Sequence, residues 1–239
     1  MVAPILLMAL WFVPAACVLL ALALRPGGSM RWGYALAAFA AYAIYSFAGY
    51  ATLPANAEAL PAEVRAVSRA VQLALVLGMA ALAIRFAHDR HVTREGMGLV
   101  AGRAGPVWLI AATLVGVTLL GALIGGIEPA DWTGIGGLVY QMTLPGLEEE
   151  IIYRGLLASL FAAAVGGESA LAWGTALGTM VSALGHGFTL EAGSITFNPV
   201  MLALLAAIGI PFSILRLRSG SILFPALGHN LFGAALRYL

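Results

Sequence analysis

The chain has 239 residues, of which 62% are hydrophobic and only 10% are charged, a composition that indicates a polytopic helical membrane protein and not a soluble domain. Its net charge of +1 provides no overall field to attract nucleic acid. There is no lysine, which excludes lysine-dependent chemistry, and the single cysteine, Cys17, excludes an intrachain disulfide.

Apolar runs, separated by charged and turn-forming residues, predict an all-α fold with about eight transmembrane helices in one bundle. In chain order the predicted spans are Ala3–Leu24, Trp32–Tyr50, Ala66–Phe86, Gly105–Gly125, Gly134–Phe161, Leu171–His186, Asn198–Leu215 and Ile222–Leu236. The segment from Asn56 to Arg69 is predicted to be a short interfacial helix in front of the third span. The fifth span is longer than a bilayer requires, so we expect it to tilt, bend or project.

Three consecutive glutamates, Glu148, Glu149 and Glu150, lie inside the fifth predicted span. A charged carboxylate near the centre of a membrane helix costs about 2.5–3.5 kcal/mol on insertion scales. The cluster is therefore expected to have a partner, a water-filled cavity or a chemical role. The other polar residues at this depth are Gln141, Arg154, His186, His229 and Asn230. A bundle can bring these residues together around an intramembrane polar cavity.

The spacing of the charged residues predicts how the glutamates divide their roles. Glu150 and Arg154 are four residues apart, so they share a helix face and are expected to form an ion pair. Glu149 is rotated by about 100° from Glu150 and is expected to remain the free carboxylate. Pro145, just before the cluster, is expected to kink the helix and open a wet pocket.

One carboxylate and two imidazoles support two kinds of chemistry. Glu149, His186 and His229 can activate water and stabilise an oxyanion. The same three side chains also form a minimal zinc site with one open position. The residue types alone leave both possibilities open.

Several motifs resemble those of the CPBP family, which contains CAAX proteases and bacteriocin-processing enzymes and is also called the Abi family. The segment from Glu149 to Arg154, Glu-Glu-Ile-Ile-Tyr-Arg, resembles its E-E-x-x-x-R motif. The segment from Ser182 to His186 is similar to its F-x-x-x-H motif, and the segment ending at His229 is similar to its last helix. The resemblance divides the chain into generic transmembrane helices 1–3 over residues 1–92 and a CPBP-like catalytic core over residues 93–239.

The resemblance implies an intramembrane endopeptidase of the glutamic type. By analogy with the family, Glu149 activates water with the help of His186, and His229 helps to hold the oxyanion. Glu150 and Arg154 brace the site. The family mechanism implies no cofactor, while a metalloprotease alternative would place zinc on Glu149, His186 and His229.

The sequence departs from the family pattern at two positions. Ser182 stands where the family has phenylalanine, which changes the packing beside His186. Gly233 stands where the family often has asparagine, four residues after His229. Asn230 points about 100° away from His229 and is not an obvious substitute. The set of oxyanion donors is therefore expected to be incomplete, or to be completed by another group.

The leading interpretation is an endopeptidase that cleaves a membrane protein, a lipidated protein or a peptide within the lipid bilayer, with no nucleic-acid partner. The expected location is a bacterial inner membrane, which the chain crosses several times. One alternative is a non-catalytic membrane scaffold or immunity protein on the same fold, which Ser182 and Gly233 favour. Another is a proton-coupled transporter, because intramembrane Glu, Arg and His side chains also form proton relays.

Overall fold

The computed structural model describes residues 2–25, 29–52, 62–103, 135–191 and 193–238. Helices and one hairpin account for most of these residues. The helices are α1 (Val2–Ala23), α2 (Trp32–Thr52), α3 (Ala62–Phe86), α4 (Ile135–Glu150), α5 (Ala158–Val165), α6 (Ala170–Gly187), α7 (Pro199–Ser219) and α8 (Leu223–Tyr238). A π-helical segment, Ile151–Leu157, joins α4 to α5, and strands β1 (Phe188–Glu191) and β2 (Ser194–Phe197) lie between α6 and α7.

The helices agree with every predicted span except the fourth, Gly105–Gly125, which lies outside the described residues. In the described part of the chain, three helical stretches are long and apolar enough to cross a membrane: Ala3–Ala23, Val64–Phe86 and Pro199–Ser219. The total of eight transmembrane helices stays a prediction. The short antiparallel hairpin, with Thr189 opposite Thr196, was not predicted and is a small exception to the all-α fold.

The separate interfacial helix predicted for the segment from Asn56 to Arg69 is wrong over residues 62–69, and residues 56–61 lie outside the described part of the chain. Helix α3 begins at Ala62 and continues without interruption to Phe86, so Arg65 and Arg69 belong to the helix itself. The side chain of Arg65 is buried. The start of this helix is hard to locate in the sequence, because Glu63, Arg65 and Arg69 fall in its first two turns and the long apolar run begins only after Arg69.

The fifth predicted span forms continuous helix from Ile135 to Val165, but its winding changes at the glutamates. Helix α4 passes through Pro145 and ends at Glu150, where the π-helical segment begins. A π-helix uses bonds between residues five apart, and such segments are frequent at functional sites. The irregular part of this helix therefore lies beside the glutamates, a few residues beyond the proline at which a kink was expected.

Two glycines allow α6 to approach the π-helical segment and α5 closely. A Cβ atom at Gly174 would collide with the carbonyl of Ala158, and one at Gly178 would collide with the carbonyl of Tyr153. Small residues in this spacing let helix backbones meet in a membrane. This close approach brings the end of α6, which carries His186, next to the glutamate segment.

A buried arginine fastens the loop before residue 103 to the π-helical segment. Arg216 is 1% exposed, and its Nε atom donates to the carbonyl of Arg154 at 3.2 Å. Its Nη2 atom donates to the carbonyl of Gly96, which also accepts from the hydroxyl of Ser159. Gly98 has a φ of 69°, and its lack of a side chain leaves space for the guanidinium. Arg216 thus connects this loop to the π-helical segment that follows the glutamates.

Candidate active site

The three glutamates at the end of α4 are all inside the bundle. Glu148 and Glu150 are 0% exposed and Glu149 is 7% exposed. Charged side chains at such burial require partners, because an unpaired buried charge carries a large desolvation penalty. Their partners come from four other elements, α3, the π-helical segment, α6 and α8, so the site is defined by those contacts.

Glu150 forms the predicted ion pair with Arg154. Its Oε1 atom accepts from Nη1 of Arg154 at 2.9 Å, and both side chains are buried. The same oxygen lies 3.1 Å from Nδ1 of His229. The His229 ring in turn stacks on Phe212, with 5.8 Å between ring centroids and 21° between planes. The pairing prediction is confirmed, and it also orients the second histidine.

Glu149 faces both histidines through one oxygen. Its Oε2 atom lies 3.8 Å from Nε2 of His186 and 3.7 Å from Nε2 of His229. These separations exceed a direct hydrogen bond of about 2.7–3.2 Å, but a small polar molecule can bridge them. The side chains of His186 and His229 are 33% and 21% exposed, so the bridging position is accessible from outside the core.

The hydrogen-bond partner of Nδ1 determines the tautomer of each imidazole. Nδ1 of His186 lies 2.9 Å from the carbonyl of Ser182, which can only accept, so Nδ1 carries the proton. Nδ1 of His229 lies beside the carboxylate of Glu150 and is a donor for the same reason. Both rings therefore present Nε2 toward Glu149. Ser182, which departs from the family motif, still supplies this backbone contact.

Sequence analysis missed one charged residue of this site, Arg69 of α3. Its Nη1 atom lies 2.8 Å from Oε2 of Glu148 and 3.3 Å from Oε1 of Glu149. The expectation that Glu149 is the free carboxylate is therefore wrong, because an arginine occupies its second oxygen. Glu148, whose direction was left open, points toward α3 and pairs with this arginine.

A pattern in the sequence could have revealed this contact. Arg65, Ser68, Arg69 and Gln72 recur at the three- and four-residue spacing of one helix face. Arg65, Ser68 and Gln72 are buried, which is unusual for polar residues beside an apolar run. A buried polar face on one helix requires a polar partner on another, and the glutamate cluster was the available acidic group.

The side-chain amide of Asn230 is bonded to the backbone of α4. Its Oδ1 atom accepts from the backbone N–H of Gly146 at 2.7 Å, and its Nδ2 atom donates to the carbonyl of Thr143 at 3.1 Å. These backbone groups lie on either side of Pro145, which has no N–H to donate to the helical hydrogen bonds. Asn230 thus joins α8 to α4 at the proline. Gly233 lies one helical turn after His229, and the side chain of Gln141 lies outside the described residues.

The three predicted metal ligands are two imidazoles and one carboxylate. A catalytic zinc site holds such nitrogen and oxygen ligands about 2.0–2.2 Å from the ion and keeps one position open. Among the residues that the structure describes, no three His, Cys, Asp or Glu side chains are arranged as ligands of one metal ion.

One groove of the described structure does not belong to the glutamate site. That groove, of about 640 Å³, lies between α2 and α3 and is lined mainly by apolar side chains, with Arg31 near one end. It does not include the glutamates or histidines. The polar cavity stays a prediction, supported by the partial exposure of both imidazoles.

The fold and the buried glutamates define a class: an integral membrane protein, mainly α-helical, with an acidic and imidazole-containing site inside its bundle. Residues 131–235, which are less than half of the chain, match the family model described as type II CAAX prenyl endopeptidase Rce1-like. This match confirms the predicted resemblance to the CAAX proteases, a membrane-embedded peptidase family. Comparisons with curated proteins and with solved structures found no match.

Proposed function

We propose that this protein is an intramembrane endopeptidase in which Glu149 activates water for attack on a peptide bond. The observation that carries the proposal is the position of Oε2 of Glu149, 3.7 Å and 3.8 Å from Nε2 of His229 and His186. A water molecule at this point can donate to the carboxylate and contact both rings.

The proposed reaction needs only these side chains and water. Glu149 takes one proton from the water as its oxygen attacks the carbonyl carbon, and His186 orients the water through Nε2. In this step the His229 ring is an imidazolium: Nδ1–H stays on Glu150, and the tetrahedral oxyanion accepts a hydrogen bond from Nε2–H. Glu149 then passes its proton to the leaving amine as the C–N bond breaks, which returns the carboxylate to its first state.

Glu150 and Arg154 support this reaction without contacting the substrate. Oε1 of Glu150 accepts from Arg154 and lies beside Nδ1 of His229, so the pair holds the second ring with Nε2 toward Glu149. We propose a metal-free mechanism, because the ring positions are already explained by the carbonyl of Ser182 and the carboxylate of Glu150.

The proposed substrates are membrane proteins, lipidated proteins or peptides that reach the site from the bilayer. The family supports cleavage near a lipid-modified C-terminus, and the partial exposure of His186 and His229 supports access to the buried carboxylate. We also propose a bacterial inner membrane as the location, in line with the high alanine and glycine content of the chain.

The test compares wild-type protein with Glu149→Gln, each reconstituted in lipid vesicles with membrane-associated peptide substrates. Loss of a general base is expected to lower the cleavage rate by roughly 10²–10⁴-fold while yield and insertion stay unchanged. Glu168→Gln, in the exposed turn after α5, is the matched control and should keep full activity. Undiminished cleavage by Glu149→Gln would refute the assignment.

The same assay separates the competing functions. A non-catalytic scaffold predicts that wild type and Glu149→Gln bind substrates equally and that neither cleaves them. The position of Asn230, whose amide is committed to the backbone of α4, favours this second function, since it leaves one fewer oxyanion donor. A proton-coupled transporter predicts pH-driven solute uptake into the vesicles, lost in Glu149→Gln, without any peptide fragments.

A further inference from the structure

We propose that Arg69 is a positioning residue of this site, anchored by Glu148, which holds Glu149 so that one oxygen faces the two histidines. This inference rests on the proposed function, because it concerns how the general base is oriented. It adds a residue from α3, which lies outside both the E-E-x-x-x-R motif and the segment 131–235 that matches the family model.

The two oxygens of Glu149 have different surroundings. Oε1 lies 3.3 Å from Nη1 of Arg69, whereas Oε2 faces Nε2 of His186 and His229. The last torsion of a glutamate side chain is soft, so a carboxylate held at neither oxygen samples a broad range of orientations. A guanidinium on Oε1 restricts that rotation and keeps Oε2 pointed at the place where water would bind.

Glu148 explains why the guanidinium stays in this position. Its Oε2 atom lies 2.8 Å from the same Nη1 atom, a closer contact than the one to Glu149. Glu148 is fully buried at the end of α4, so it fixes the arginine relative to that helix. The longer ion pair, from Arg69 to Oε1 of Glu149, then restrains the second carboxylate.

This arrangement gives the third glutamate a purpose. The E-E-x-x-x-R motif uses Glu149, Glu150 and Arg154, and it leaves Glu148 without a role. Two Arg–Glu pairs therefore flank the reactive oxygen: Glu150 with Arg154 supports His229, and Glu148 with Arg69 supports Glu149. Burying an ion pair is seldom stabilising by itself. A buried Glu148–Arg69 pair is therefore expected to have a role besides stability.

The competing explanation is that Arg69 only fastens α3 to α4. A purely structural pair would change yield and thermal stability but not the turnover of correctly folded protein. A positioning residue would lower kcat with little change in KM, because it acts on the reacting geometry and not on substrate binding. The two explanations thus differ in a quantity that can be measured.

The experiment uses full-length protein in lipid vesicles and compares Arg69→Met, Arg69→Lys, Glu148→Gln and the double variant Arg69→Met, Glu148→Gln. Arg69→Met is expected to lower kcat by roughly 10²-fold at unchanged KM, because small misplacements of a reacting group have effects of that size. Arg69→Lys, which keeps the charge, should restore part of the loss. Arg85→Met, on an exposed arginine of the same helix, is the matched control and should behave as wild type.

The double variant guards against simple misfolding. It removes both charges of the pair, so it leaves no orphaned Glu148 and should fold even where Arg69→Met does not. It should still show the low kcat. A folded Arg69→Met or double variant with the kcat of wild type overturns the inference, and the proposed function survives provided Glu149→Gln is inactive. If Glu149→Gln is fully active, the proposed function fails first.

A spectroscopic measurement tests the contact without relying on turnover. The infrared carboxylate band that disappears in Glu149→Gln belongs to Glu149. We expect this band to shift in Arg69→Met and in the double variant, and to stay in place in Arg85→Met. A band that is unshifted in Arg69→Met and in the double variant means that the guanidinium does not contact Glu149, and it overturns the inference.

Discussion

The Nδ1 atom of His229 lies 3.1 Å from Oε1 of Glu150, the same oxygen that accepts a hydrogen bond from Arg154. A single carboxylate oxygen thereby joins the π-helical segment to α8. Because Nδ1 of the ring is engaged, Nε2 is left facing Glu149 at 3.7 Å. The ion pair that the spacing of the motif predicts is therefore also the support for the second histidine.

Removing Arg154 should lower stability as well as activity. Arg154→Ala removes the guanidinium from the fully buried Glu150 and leaves His229 as its remaining ion-pair partner among the described residues. Breaking a buried pair typically costs about 3–5 kcal/mol. We expect a lower melting temperature in detergent and a lower folding yield. The double variant Arg154→Ala, Glu150→Gln should recover part of the loss, since the orphaned charge is gone. A double variant that melts no higher than Arg154→Ala would show that the two residues are not energetic partners.

Metal analysis should separate the glutamic mechanism from the metalloprotease alternative. Purified protein is expected to carry well under one zinc ion per chain, and its cleavage activity should resist chelators. The measurement is elemental analysis combined with activity before and after chelation. Stoichiometric zinc, with activity lost to a chelator and restored by zinc, would reverse the prediction. Glu149, His186 and His229 would then be the ligands.

Introducing the family asparagine at Gly233 should not harm the enzyme. Position 233 lies one helical turn beyond His229, so a side chain there shares its face. A positioned amide donor can be worth about 10²–10³ in rate, and Asn230 is already committed to the backbone of α4. We expect Gly233→Asn to cleave at the wild-type rate or faster in the vesicle assay. Correctly inserted but inactive protein would mean that the site packs tightly against this glycine.

The loop after α3 should contribute stability that depends on pH. Burial alone would raise the pKa of the Asp89 carboxyl, but the backbone N–H of His91 and the guanidinium of Arg31 outweigh burial and lower this pKa. Oδ2 of Asp89 lies 2.6 Å from Nη2 of Arg31, and Oδ1 accepts from His91 at 2.8 Å. A lowered pKa means that the contribution is present above the unfolded value of about 3.9 and is lost as pH falls through the folded value.

The corresponding measurement is the difference in melting temperature between wild type and Asp89→Asn as a function of pH. Wild type should be the more stable protein at pH 6, and the difference should shrink as the pH falls below about 4. Arg31→Gln should remove part of the same pH-dependent difference. A difference that persists unchanged at pH 3 would contradict the assignment.

The sequence by itself determined those features that depend on neighbouring residues. Apolar runs located the described helices. A segment in lipid must pair its backbone N–H and C=O groups internally, so an apolar run of sufficient length becomes a helix. The pair of Glu150 and Arg154 was predictable because four residues always bring two side chains to one helix face. The spacing of the motifs, with His186 and His229 on later spans, indicated the resemblance to the CAAX proteases, which the match over residues 131–235 supports.

Only the tertiary structure decided which distant residues meet. Arg69 is 79 residues from Glu148 in the chain, and their contact depends on the axial register of α3 against α4. That register is set by close packing of many side chains and not by any local pattern. The π-helical winding and the contact of Asn230 with the backbone beside Pro145 also depend on the assembled bundle. The hydrogen bond from Gly146 to Asn230, for example, forms only when α8 packs against α4. Glu149 therefore has an arginine on one oxygen and two imidazoles on the other because three helices converge on it.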